Sequence, residues 1–219
     1  MESVVFFVAH PDDDTYNVGG LLLKMRGKFD VHIVCSTRGE RGVRHQTHEE
    51  TRNMRMKEHQ EALAITGGTI HYLDVLDGDL VADNEVIGKA LKLLQEIKPR
   101  AVFTHWPSDW HPDHSATGEL ALKAYKRWGV PAEFYYFEAY IGTQTTRFIP
   151  DIYVDIEDVI EEKLEAVRKH VCQNVNDGMA QTMLREDAYR GRECAIRYAE
   201  GYKTRLPLTN KTRSILFEV

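Results

Sequence analysis

Two short segments carry most of the residues that could do chemistry. His10-Pro11-Asp12-Asp13-Asp14 is one; His105-Trp106-Pro107-Ser108-Asp109-Trp110-His111-Pro112-Asp113-His114 is the other. Both crowd imidazoles and carboxylates into turns. Imidazole nitrogen and carboxylate oxygen are zinc ligands, and a catalytic zinc takes three protein ligands and keeps one position for water. His10 and Asp13 are three residues apart across the turn opened by Pro11, so both can converge on one ion. His114 can supply the third ligand, which leaves Asp12 free to act as a general base. His111, three residues before His114, can face the other side of a substrate carbonyl. A metal, a base and a hydrogen-bonding group are what hydrolysis of an unreactive amide requires. Iron(II) accepts the same set of two histidines and one carboxylate. Either segment alone reads as an ordinary turn, with Asp14 or Thr15 as a helix cap.

The elements that must position these segments alternate. Residues 4–9 form an apolar run that reads as a buried strand, and Val18, Leu21, Leu22 and Met25 follow at helical spacing towards Gly27. Strand-like segments recur at 31–35, 70–73, 101–104, 134–137 and 152–154. Helical patterns occupy 49–65, stopped by Gly67-Gly68, then 85–97 before Pro99, and 115–128 with Ser115 as N-cap. The polar stretch 37–46 reads as a loop. A helix is expected over 159–171, and 179–202 reads as mostly helical. Strands alternating with helices predict an α/β fold, a doubly wound, mostly parallel, Rossmann-like sheet with helices on both faces. The whole chain, 1–219, reads as one domain, with C-terminal helices at about 156–205 packed on the sheet. In such a sheet ligands bind beyond the carboxyl ends of the strands, which is where both His/Asp segments fall.

Composition excludes several classes. The 219 residues are 42% apolar and 28% charged, as in ordinary globular proteins. Lys plus Arg number 28 against 34 Asp plus Glu, a net charge of −6 that argues against a broad nucleic-acid surface. No apolar run approaches the ~20 residues of a membrane span. With no basic, signal-like start, a cytoplasmic location is expected. Cys35, Cys172 and Cys194 are widely spaced and read as reduced thiols. His32, His45, His48, His59, His71 and His170 have no carboxylate beside them in a comparable cluster and read as surface or satisfied core residues.

Ala9-His10-Pro11-Asp12-Asp13-Asp14 and His111-Pro112-Asp113-His114 resemble the two signature motifs of the LmbE-like, or PIG-L, zinc-dependent N-deacetylases. The resemblance extends over most of the chain: Arg55-x-x-Glu58-x-x-x-Ala62 with Gly67, Leu76-Asp77-Gly78, Lys98-Pro99, Val154-Asp155-Ile156, Lys163, His170-x-x-Gln173, Arg190-Gly191 and Tyr198-Ala199-Glu200-Gly201-Tyr202. It implies removal of the acetyl group from a small N-acetylglucosamine-type substrate. His10, Asp13 and His114 would bind zinc, and Asp12 would be the base that later returns a proton to the leaving amine. His111 would stabilise the oxyanion, with Asp113 setting its charge and orientation. Arg55 and Asp77 match positions that contact the sugar. The alternative for Arg55 is a surface ion pair with Glu58 contributing under ~1 kcal/mol. Two departures stand out: Asp14 replaces the usual Glu, and Asp109-Trp110 falls where members vary, so no role carries over there. Relatives act on glycolipid precursors, sugar-linked thiol precursors, chitin disaccharides and antibiotic intermediates, and often form homo-oligomers. No feature of the sequence chooses among these substrates.

Other classes compete. The Asp12-Asp13-Asp14 triplet invites comparison with Mg²⁺-dependent phosphotransferases of the haloacid-dehalogenase type, but Mg²⁺ prefers oxygen ligands and the histidines argue against it. Gly19-Gly20 lies within a helical pattern, and no G-x-G-x-x-G follows a strand, so a dinucleotide module is disfavoured. A non-catalytic sugar-binding relative is disfavoured because every expected catalytic position is filled.

Overall fold

Alternation along the first strand sets the architecture. In β1 (Ser3–Val8), Val4, Phe6 and Val8 face one apolar cluster while Val5 and Phe7 face another. A strand buried on both sides requires helices on both sides. The computed structural model describes residues 1–207, 209 and 214–219. Further strands are β2 (Asp30–Thr37), β3 (Thr69–Val75), β4 (Ala101–His105), β5 (Glu133–Phe137), β6 (Ile152–Asp155) and β7 (Ala199–Thr204). They form one seven-stranded sheet in the order β3-β2-β1-β4-β5-β7-β6. The first five are mutually parallel, and β7 runs antiparallel to both β5 and β6.

Six α-helices cover the sheet: α1 (Asp13–Met25), α2 (His48–Thr66), α3 (Asn84–Ile97), α4 (Pro112–Trp128), α5 (Ile160–Val167) and α6 (Gly178–Glu193). One face carries α1, α2 and α5; the other carries α3 and α4. Phe103 stacks between Phe6 and Tyr135 at centroid distances of 4.5 and 4.9 Å, which ties β1, β4 and β5 together. Among the described residues no helix is long and apolar enough to cross a membrane.

Two elements differ from the sequence reading, and both matter. The segment read as helical through residue 202 breaks after α6 and returns as β7. Its Ala, Glu and Lys favour helix locally, but sheet pairing and burial override that weak preference. Period two puts Glu200 and Tyr202 on one face, where Glu200 accepts from the Gly20 and Leu21 amides at 2.7 and 2.9 Å. Glu200 also lies 2.9 Å from Lys163, which the Asp187 carboxylate holds at 2.8 Å, so one buried ion cluster joins α5, α6 and β7. The second difference is the start of α4, at Pro112 rather than Ser115, with His111 as N-cap. Proline suits the first helical position, where its missing N–H costs nothing. This places His111, Asp113 and His114 in the cap and first turn.

The strand order reverses direction between β1 and β4. At that switch point the carboxyl ends of two neighbouring strands diverge and leave a crevice. The segments that follow β1 and β4 are the two His/Asp clusters.

Candidate metal centre

Three of the expected ligands meet in that crevice. His10 Nδ1 lies 3.2 Å from His114 Nε2, and His114 Nε2 lies 3.3 Å from Asp13 Oδ1. Ligands about 2.0–2.1 Å from a tetrahedral zinc sit roughly 3.3 Å apart, so these two spacings match two edges of such a tetrahedron. The other Asp13 oxygen is held from behind, by the Ala9 and His10 amides at 3.1 and 2.8 Å and by His105 Nε2 at 3.2 Å. Oδ1 is thereby left towards His114.

Each imidazole is held at its far nitrogen by carboxylates. His10 Nε2 lies 3.2 Å from Asp113 Oδ2 and 3.3 Å from Asp77 Oδ1. His114 Nδ1 lies 3.4 Å from Asp109 Oδ2. A carboxylate behind a ligating histidine fixes its tautomer and raises its basicity, and such partners are the rule at metal sites. This leaves His10 Nδ1 and His114 Nε2, which face each other, as the ring atoms available to a metal. A magnesium site of the haloacid-dehalogenase type would need oxygen donors in place of these two nitrogens.

Electrostatics fit a divalent cation. Burial disfavours the charged form of His10, but Asp113, Asp13 and Asp77 outweigh it and hold its pKa well above the usual histidine range. Burial opposes His114 as well, yet Asp13 and Asp109 push it up to about 9. Asp13 is held well below the ordinary carboxylate range, because His114 and His105 overcome its desolvation. Without metal, both imidazoles therefore hold a proton more tightly than an ordinary histidine, and the facing His10 Nδ1 and His114 Nε2 share one hydrogen bond at 3.2 Å. Loading with Zn²⁺ at pH 7 is expected to release protons, and affinity should rise with pH through the range in which His114 titrates, about 9. Calorimetric titration in buffers of different ionisation enthalpy measures the release; a value near zero would contradict this account.

Asp12 is the N-cap residue of α1 but makes no side-chain cap hydrogen bond. Its carboxylate instead lies 2.8 Å from Arg55 Nη2. Burial raises the Asp12 pKa, with the Arg55 charge pulling against it and Asp13 adding to it. Arg55 is itself buried, so the surface ion pair with Glu58 is ruled out; Glu58 accepts from the Cys172 amide instead.

The loop after β2 cradles the Arg55 guanidinium. It reaches the Gly39 carbonyl at 3.3 Å, and a Cβ at Gly39 or Gly42 would stand 2.2 or 2.5 Å from Arg55 Nη1. Gly39→Ala is expected to push Arg55 off Asp12 and lower turnover on the order of 10²-fold, the scale of a 1 Å misplacement in an active site. Metal content should be unchanged. Gly27→Ala is the control: it has a similar positive φ (+76° against +67°) but no neighbour within 4 Å. Equal turnover in the two variants would refute the cradle.

His111 and Asp113 relate differently from the expectation. The Asp113 carboxylate goes to His10 and to the Gly78 and Leu80 amides at 2.7 and 3.3 Å, pinning the loop after β3. It is the Asp113 backbone amide that orients His111, by donating to Nδ1 at 3.3 Å. This follows from α4 beginning at Pro112. With Nδ1 accepting, the ring proton sits on Nε2, and the His111 pKa is lowered by burial and by the charges of His10 and His114. His111 is then a neutral N–H donor beside the ligand cluster, its ring 4.7 Å from His10 and 4.8 Å from His114.

Asp77 accepts from the Arg41 amide at 3.0 Å besides approaching His10, and with Arg55 it lines the site's cavity. That cavity measures about 420 Å³ and also exposes His10, Asp12, Asp13, His111 and His114.

The sequence reading gave no role to two residues that support the ligands. His105 stacks on His114 at 4.1 Å and holds Asp13; burial and the His114 charge push its pKa down to about 4, so it stays neutral. Asp109 links His114, the His111 amide and Thr145. Both lie inside the His/Asp-rich segment, which was the available signal. Two histidines read as partnerless also have carboxylate neighbours: His59 Nε2 lies 3.1 Å from Asp14 Oδ1 and His32 Nε2 lies 3.1 Å from Asp30 Oδ2. The first contact uses the Asp that replaces the usual Glu, and it sits in the core behind the ligands.

A family model described as PIG-L: GlcNAc-PI de-N-acetylase matches residues 5–125. Over 222 residues the chain is 31% identical to diacetylchitobiose deacetylase of Thermococcus kodakarensis, covering 93% of this chain and 83% of that one. It is 26% identical over 188 residues to 4-oxalmesaconate hydratase of Pseudomonas putida, covering 76% and 72%. Among solved structures, N,N'-diacetylchitobiose deacetylase from Pyrococcus horikoshii in complex with its inhibitor MPG matches with a TM-score of 0.84 at 26% identity, covering 93% of this chain and 83% of that one.

Proposed function

The chain belongs to the PIG-L (GlcNAc-PI de-N-acetylase) family, and from that premise we propose that it is a metal-dependent deacetylase of N-acetylglucosamine-type substrates. The observation that carries this reading is that His114 Nε2 lies 3.2 Å from His10 Nδ1 and 3.3 Å from Asp13 Oδ1, with Asp12 and His111 on the same cavity. Zinc, or iron(II), held by His10, Asp13 and His114 would supply a Lewis acid and an activated water.

The remaining roles fall to side chains of the chain itself. Asp12, buried against Arg55, takes up the proton of the attacking water and later passes it to the departing amine. Its pKa, raised by burial, makes it a stronger base than an ordinary carboxylate, as a group that both accepts and returns a proton requires. His111 donates from Nε2 to the oxygen of the acetyl carbonyl as negative charge develops there, and the helix cap fixes this donor before substrate arrives. Asp113 acts through His10 and through the loop it pins. Arg55 and Asp77 contact the sugar: Arg55 donates to a hydroxyl with the N–H groups that Asp12 leaves free, and Asp77 accepts from one.

The hydratase relative marks the competing chemistry, in which water adds to a carbon–carbon double bond. The deciding experiment incubates zinc-loaded protein with a panel of N-acetylated amino sugars and with 4-oxalmesaconate, an unsaturated tricarboxylate. Release of acetate together with a primary amine is expected. No amine from any sugar, with loss of the double-bond absorbance, would assign the hydratase chemistry instead.

A further inference from the structure

The cavity opens past one large aromatic side chain that the fold leaves uncovered. Trp110 is 69% exposed, yet it lines the same cavity as His10, Asp12 and Arg55. Tryptophan is on average highly buried, so an indole standing in water is informative where it borders a site. The backbone that presents it is anchored on both sides. Before it, Asp109 accepts the His111 amide at 2.8 Å and the Thr145 hydroxyl at 3.0 Å on its carboxylate, and the Ser115 hydroxyl at 2.5 Å on its carbonyl. After it, His111 caps α4. The Trp110 amide itself donates to the Gln144 carbonyl at 3.4 Å. Trp106 is the contrast: it packs on Tyr136 and Phe148, and its indole N–H donates to the Thr146 carbonyl, which accounts for it structurally.

We propose that Trp110 is the stacking platform for the sugar ring attached to the N-acetylated one, so that the site selects substrates of two or more rings. This rests on the amino-sugar reading above. The Trp110 ring lies 6.1 Å from His111, which in turn lies 4.7 Å from His10. An acetyl carbonyl set beside His111 and His10 puts its own ring in the inner part of the cavity, and the indole, farther out, meets the next ring. One face of a pyranose presents only C–H groups, whose partial positive charge matches the negative face of an aromatic ring. Arg41 and Gln173 line the same cavity and offer polar ends to the ring hydroxyls.

The test compares wild type, Trp110→Ala and Trp110→Phe, all zinc-loaded, on N-acetylglucosamine and on its β-1,4-linked disaccharide. Losing one stacked face should raise KM for the disaccharide about tenfold, with kcat little affected, so its preference over the monosaccharide falls by that factor. Trp110→Phe should retain most of the preference. An equal loss on both substrates would make Trp110 a support for His111 or for the reacting ring, and would overturn the proposal; so would no change. Titration of the zinc-loaded proteins with the fully deacetylated disaccharide, which offers no amide to cleave, gives an independent reading. If wild type cleaves neither sugar, the amino-sugar reading fails, but this titration still decides: weakened binding in Trp110→Ala supports the platform, and equal or undetectable binding overturns it.

Discussion

Asp12→Ala is expected to keep its metal and to lose roughly 10²–10⁴-fold in turnover, the usual contribution of a general base. His10, Asp13 and His114 remain to bind the ion, and Asp12 touches none of the far nitrogens that orient them. Loss of a helix cap cannot explain the effect, because the Asp12 side chain caps nothing in α1. The variant has a second cost. It leaves the buried Arg55 guanidinium without its carboxylate, and breaking a buried ion pair typically destabilises by about 3–5 kcal/mol. The Gly39 carbonyl still accepts from Arg55 and limits that cost. Asp12→Asn, which keeps the shape and offers Arg55 an oxygen, should recover stability without recovering turnover. Metal content, thermal midpoint and turnover on both variants separate the two effects. Recovery of turnover in Asp12→Asn would reduce Asp12 to a structural partner of Arg55.

His114→Ala and Asp13→Ala should fail differently, by losing the metal. Two remaining protein ligands hold zinc poorly, and excess zinc should restore part of the activity, whereas it should do nothing for Asp12→Ala. His114→Ala is the cleaner substitution. Asp13 also anchors the Ala9 and His10 amides and His105, so its removal leaves buried donors unpaired, at about 1–3 kcal/mol each. If Asp12→Ala loses the ion and Asp13→Ala keeps it, the roles of the adjacent aspartates are reversed.

Much of this was legible in the sequence because it depends on local rules. The run 4–9 and its counterpart 101–104 announce buried parallel strands by composition, and parallel strands place their following turns at one end of the sheet. Two His/Asp segments after two such strands are enough to propose a common site, and the structure brings His10, Asp13 and His114 together there. What could not be read depends on which loops meet. Asp77 and Asp113 come behind His10 because the β3 loop folds over the start of α4, and Asp109 reaches His114 because Pro112 rather than Ser115 opens that helix. The burial of Arg55 arises from the loop at Gly39 and Gly42, which sequence spacing from Glu58 does not reveal. The β7 segment has helix-forming residues, and only its neighbours β5 and β6 make it a strand.

Locating the ion tests the central claim most directly. Among the described residues, three overlapping groups of histidines and carboxylates could accept a metal: His10 with His111 and His114, Asp13 with His105 and His114, and His10 with Asp77 and Asp113. The proposed site instead combines His10, Asp13 and His114. Crystals grown with zinc and measured on both sides of the zinc absorption edge should show one anomalous peak per chain, about 2.0–2.2 Å from His10 Nδ1, His114 Nε2 and an Asp13 oxygen. A peak on the far side of His10, between Asp77 and Asp113, or no peak at zinc concentrations that support turnover, would contradict it.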